Sequence, residues 1–125
     1  MARELREGGG MHDTNDELTF PFQKLDVYLA AKEMAVGVHR AKVGDAELRD
    51  QATRASKSCF LNLSEGLTSD SAGVRRKFFT TAAGSAAEVA AAIDLAAVLD
   101  FIDPVAASEI AALAVRIKKM LRRLR

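Results

Sequence analysis

The sequence is short of almost everything that builds a β-sandwich, a disulfide scaffold or a membrane span. It has one cysteine, two prolines, no tryptophan, and aromatics make up 6% of its 125 residues. A single cysteine excludes an internal disulfide, and the default compartment is then the reducing cytoplasm. Cys59 reads as a small buried hydrophobe on a helix seam rather than a reactive thiol. Few aromatics beside abundant alanine, the best helix former, argue for closely packed helices and against a sandwich or barrel. The N-terminus lacks the basic-then-apolar pattern of a signal peptide. No apolar run approaches the roughly 20 residues of a membrane span. Residues 82–97 come closest, and Glu88 and Asp94 interrupt them.

Catalytic patterns are missing too. A di-metal bundle needs Glu-x-x-His pairs, but Glu33 is followed at the third position by Val36 and Glu88 by Ala91. There is no phosphate-cradling glycine loop and no HExxH. Ser58 or Ser85 as a nucleophile would need a base, and His39 is the one histidine on a helix; both serines read as packing residues. No metal, cofactor or enzymatic activity is expected.

What is present is helix signal from end to end. Residues 1–18 form a tail without periodicity, in which Met11 follows three glycines as a second candidate start and His12 is solvated. The first helix begins near Pro21, with Thr19 as cap, carries a stripe of Phe22, Leu25, Tyr28/Leu29, Ala31, Ala35 and Val38, and ends around Val43 and Gly44. The second opens with Asp45 as N-cap. Its seam of Leu48, Ala52, Ala55, Cys59 and Asn62/Leu63 ends at Gly66, whose left-handed conformation supplies the stop. The third, capped by Ser69, Asp70 or Ser71, spans 72–101 with a stripe of Phe78, Ala82, Ser85/Ala86, Val89, Ile93, Ala96 and Leu99. Glycine inside a helix costs about 1 kcal/mol, so Gly84 and Ser85 mark an expected tight helix crossing. Asp103 and Pro104 start a fourth helix with the seam Ala106, Ile110, Leu113, Ile117, Met120/Leu121 and Leu124. Four helices with short turns predict an all-α, antiparallel up-down-up-down bundle over 19–125.

The formal net charge of +1 conceals an asymmetry. Residues 116–125 hold six bases: Arg116, Lys118, Lys119, Arg122, Arg123 and Arg125. Without them, 12 Lys and Arg stand against 17 Asp and Glu, a formal charge of −5 on the rest of the chain. Further bases cluster at Arg49, Arg54 and Lys57 and at Arg75, Arg76 and Lys77. Phosphate neutralisation needs only such charges. No aromatic is interleaved with them, which gives no support to stacking on single-stranded bases.

Residues 51–66, QATRASKSCFLNLSEG, resemble the signature Q-L-R-R-A-A-x-S-I-P-x-N-I-A-E-G of the bacterial four helix bundle protein family, also called the ribosomal-RNA intervening-sequence protein family. Phe22 to Tyr28 is similar to that family's opening. Phe78 to Glu88, with Ala83-Gly84-Ser85, is similar to its third-helix motif. The resemblance covers about 22–101; Ala52, Cys59 and Phe60 replace the usual Leu, Ile and Pro, and the basic fourth helix is longer than the family requires. It implies an antiparallel bundle in a ring-shaped homo-oligomer, often a pentamer, without enzymatic activity. A related branch is the accessory protein of diversity-generating retroelements, which binds a reverse transcriptase and nucleic acid. The expectation is a non-enzymatic accessory protein that contacts RNA or DNA through its basic residues without reading bases. The rivals are a module docking a partner protein, an enzyme with a buried polar cluster, and a membrane-surface binder acting through the last helix.

Overall fold

The structure, a computed structural model, describes residues 20–124, apart from the side chains of Gln23 and Lys24. The tail over 1–18, the Thr19 cap and Arg125 lie outside the described residues. A single 3₁₀ turn (Pro21–Lys24) leads into four helices, α1 (Asp26–Ala41), α2 (Ala46–Thr68), α3 (Ala72–Val98) and α4 (Pro104–Leu124). The described residues hold no strand. Each helix packs on two others in the cyclic order α1, α2, α3, α4, with no diagonal contact, and α2 against α3 is the most extensive pairing.

The start signals act as their chemistry dictates. The Leu48 N–H donates to Asp45 Oδ2 at 3.0 Å, and the Ala106 N–H to Asp103 Oδ2 at 3.0 Å. Of the three candidates ahead of α3, Ser71 is the cap, its Oγ accepting from Val74 N–H at 3.4 Å. Each cap satisfies a backbone donor that the helix itself leaves unpaired. The α1–α2 and α3–α4 turns meet, the Gly44 N–H donating to the Phe101 carbonyl at 2.8 Å.

Two expected stops fall elsewhere. α2 does not end at Gly66 in a left-handed conformation; it runs on to Thr68, and no described glycine has a positive φ. The left-handed residues are Lys42, closing α1 at φ 50°, and Asp100, in the α3–α4 turn at φ 64°. Gly66 serves packing instead. A Cβ on it would lie 2.5 Å from the Phe79 ring, so the absent side chain is what admits that ring between α2 and α3.

Phe79 is fully buried, whereas Phe78, placed on the stripe by the sequence, is half-buried. Leu99 lies beyond the end of α3 and is exposed. The α2 seam of Ala52, Ala55, Cys59 and Leu63 is buried as expected. α1 turns slightly from its expected face, burying Val27 and Met34 and exposing Leu25 and Leu29. On α4, Ala107, Ile110, Ala114, Ile117 and Leu121 are buried, and Leu113 and Met120 flank them. Against the expectation from the sequence, α3 is long and apolar enough to cross a membrane; nine of its residues, from Phe79 to Ala96, are buried in the bundle, while Leu95 and Val98 stay exposed.

The expected tight crossing at Gly84 is not made within the chain. Gly84 is exposed, and beyond the backbone of its own helix turn nothing lies within 4 Å of where its Cβ would be. Ser85, one position on, faces inward and shares a hydrogen bond of 2.9 Å with Ser58 Oγ on α2. Asn62 completes this link, its amide donating to the Ser58 carbonyl at 2.8 Å and to Ser58 Oγ at 3.1 Å.

Candidate functional site

The bases picked out in the sequence divide into those that hold the fold and those that project. Arg49 Nη1 donates to the Val43 carbonyl at 2.9 Å, bracing the α1–α2 turn. Arg54 stays on its own helix, reaching the Asp50 carbonyl and Gln51 Oε1 at 3.3 Å each. Half-buried Arg75 donates to the Ser69 carbonyl at 3.3 Å, closing the end of α2, and its guanidinium lies 5.5 Å from the centre of the Phe79 ring. That cation–π contact ties Arg75 to packing. Lys57, Arg76, Lys77, Arg116, Lys118, Lys119, Arg122 and Arg123 are exposed.

Contacts along the helices bring two separate groups of these bases to one end of the bundle. Leu25, Asp26 and Val27 at the start of α1 line a groove with Met120, Arg123 and Leu124 at the end of α4. Tyr28 packs on Phe60, 4.9 Å between ring centres, and Phe79 packs on Gly66. The start of α1, the α2–α3 turn and the end of α4 therefore share an end. Arg76 and Lys77 lie there with Arg122 and Arg123. Arg49 and Arg54 belong to the first part of α2, away from it.

An open groove between α1 and α4 carries the densest charge. Its floor at the basic end is Ala112, Val115 and Met120, and Arg116, Lys119 and Arg123 stand along it with Asp26 opposite. Those bases are three and seven residues apart, a spacing that aligns them on one helix face over about 10 Å at 1.5 Å per residue. Farther along, the groove is of mixed sign, with Glu33, Arg40 and Glu109 beside Val36 and Leu113. Lys118 and Arg122 are exposed but do not line it. Sequence spacing alone indicated the basic α4 face; the α1 wall of the groove and Asp26 had no signal in the sequence.

Other chemistry is sparse. Burial pushes the Cys59 thiol up from 9.0 to about 12, which keeps it protonated and unreactive at neutral pH. Among the described residues no group of three or more His, Cys, Asp or Glu is placed to hold a metal ion. His39 is exposed in the last turn of α1, where the helix dipole favours a cation. Ser58 and Ser85 bond each other, and no histidine takes part.

No curated protein matches the chain. The sequence model for the 23S rRNA-intervening sequence protein matches residues 23–123, which carries the likeness through α4 almost to its end, beyond the motifs over 22–101. With four-fifths of its length matched and four helices packed in a cycle, the chain belongs to the 23S rRNA-intervening sequence protein family.

Proposed function

We propose that this protein is a non-enzymatic, homo-oligomeric accessory protein of the cytoplasm that contacts nucleic acid through the basic end of its bundle, without reading base sequence. One observation carries the reading: Arg116, Lys119 and Arg123 stand in line along an open groove, while Arg76 and Lys77 are exposed at the same end. Such an array neutralises phosphates, and none of its lining residues is aromatic, so backbone contact is the chemistry on offer. The family's description, naming an intervening sequence of 23S rRNA, agrees with a nucleic-acid setting.

The pairings of Gly66 with Phe79, Ser58 with Ser85, and Gly37 with Ile110 support an up-down-up-down order. The outward face of α3 supports assembly. Gly84, Ala87 and Ala91 are exposed there in line with Leu95 and Val98, which are 49% and 72% exposed. Copies joined by such faces in a closed ring would repeat the basic end around an axis and multiply weak contacts. Arg54 and Lys57 are exposed separately on α2, and Arg125 would add to the terminal group.

The test is binding to mixed RNA and duplex DNA across a salt series, for wild type and for Arg116→Glu/Lys119→Glu/Arg123→Glu. Wild-type affinity should fall steeply with salt, and the log–log slope should flatten by roughly 2 to 3 in the variant, since each phosphate contact contributes about 0.9. Equal, negligible binding by both proteins at low salt would sink the reading. The second reading, a module that docks a protein partner, would then lead, because it needs only the apolar α3 face and no bases.

A further inference from the structure

The face formed by α1 and α2 carries a second groove, distinct from the basic one. Its lining is Lys32, Ala35, Val36, Lys57, Phe60 and Leu61, and its floor is apolar. Large apolar side chains are left uncovered there: Leu61 is 61% exposed and Val36 39%, while Leu29, outside the lining and one turn before Lys32, is exposed as well. None of the lining residues is acidic, and both lysines are exposed at the rim, the Lys32 ammonium 5.2 Å from the centre of the Tyr28 ring.

A run of aromatic contacts joins this groove to the point where the described chain begins. Phe20 stacks on Phe22 at 5.7 Å, Phe22 meets Tyr28 edge-on at 5.5 Å, and Tyr28 packs on Phe60, which is a wall of the groove. The residues just before Phe20 have the complementary chemistry. Between Met11 and Thr19 there is no Lys or Arg, while Asp13, Asp16 and Glu17 give a formal charge of −3, bracketed by the apolar Met11 and Leu18.

We propose that the α1–α2 groove is the docking site for the chain's own residues 11–19, bound as an extended segment with its carboxylates toward Lys32 and Lys57. Length allows it. Nine extended residues span up to about 30 Å, and the ring-to-ring steps from Phe20 to Phe60 are each under 6 Å. The segment has too few apolar residues to bury a core alone, and the groove supplies the missing wall. The direct bond from Thr19 to Phe20 keeps its local concentration in the millimolar range, so weak contacts suffice. Docking would also set three carboxylates beside Lys57, in competition with any phosphate bound there.

Amide hydrogen exchange on the full-length protein at low salt, without nucleic acid, tests this independently of the basic-end reading. Amides of residues 13–18 should exchange roughly 5- to 10-fold slower than their intrinsic rate in the wild type, and at that rate in Lys32→Glu/Lys57→Glu. Reversing Asp13, Asp16 and Glu17 to Lys should release the segment as well, and combining both sets should restore protection. Helix content by circular dichroism checks that each variant is folded. Intrinsic exchange in the wild type, or protection unchanged by the lysine reversals, would overturn the proposal. Protection that grows with protein concentration would overturn it too, by placing a second copy in the groove.

Discussion

The two ends of the bundle use the same kinds of side chain differently. Where the α1–α2 and α3–α4 turns meet, polar groups are committed to the fold. Asp45 and Asp103 cap helices, Arg49 holds the Val43 carbonyl, and the turns exchange a backbone hydrogen bond between Gly44 and Phe101. At the other end, Arg75 alone of its run closes a helix, while Arg76, Lys77, Arg122 and Arg123 are exposed. The first end carries Asp100 beside the two caps, along with Lys42 and Arg49; the second carries the bases, along with Asp26 and Asp70. A charge held by a backbone group fixes geometry and is lost to ligands. A charge left in water costs little in stability and stays available to a polyanion.

The contrast is sharpest between Phe79 and the surface around it. Phe79→Ala should lower unfolding stability by about 3–5 kcal/mol in urea or guanidinium titration, because it empties the space between α2 and α3 that Gly66 opens. Gly66→Ala should cost about 1–3 kcal/mol, the clash with the ring exceeding the gain in helix propensity. A neutral Gly66→Ala would mean the ring moves freely, and that this end is packed more loosely than described.

At the turn-locked end, Asp103→Ala and Asp45→Ala should each cost about 0.5–2 kcal/mol, with nucleic-acid binding unchanged. At the basic end the pattern should invert. Arg76→Ala should weaken binding and leave the denaturant midpoint where it was. Arg75→Ala should lower stability by about 1 kcal/mol through the lost carbonyl bond and ring contact. If both arginines behave alike in both assays, the division between holding and projecting bases fails.

The caps, the number of helices and the α2 seam were legible in the sequence because they rest on local chemistry: an Asp before an apolar period, or a Pro in a first turn. The identity of the buried aromatic on α3 was not. Phe78 and Phe79 are adjacent, so periodicity fixes the face only within one helical position, and the Gly66 gap that selects Phe79 lies on another helix. Gly66 itself was misread because glycine near a helix end suits a left-handed stop and a close contact equally well. The basic α4 face was legible from spacing. Its groove was not, since the opposite wall belongs to α1, about 90 residues away in the chain.

Gly84 gives the smallest effect and the most discriminating one. It sits in mid-helix, exposed, with nothing beyond its own helix backbone within 4 Å of its missing Cβ, so no other element of the described chain requires glycine there. Gly84→Ala should therefore stabilise the isolated bundle by about 0.4–1 kcal/mol, by restricting the unfolded chain and raising helix propensity. If copies pack through this face of α3, the added methyl group meets a neighbour, and sedimentation should show weaker assembly even as the denaturant midpoint of the dilute protein rises. A variant that is more stable when dilute and less associated when concentrated would place the close approach between copies. Gains in stability with assembly unchanged would move the contact to another face.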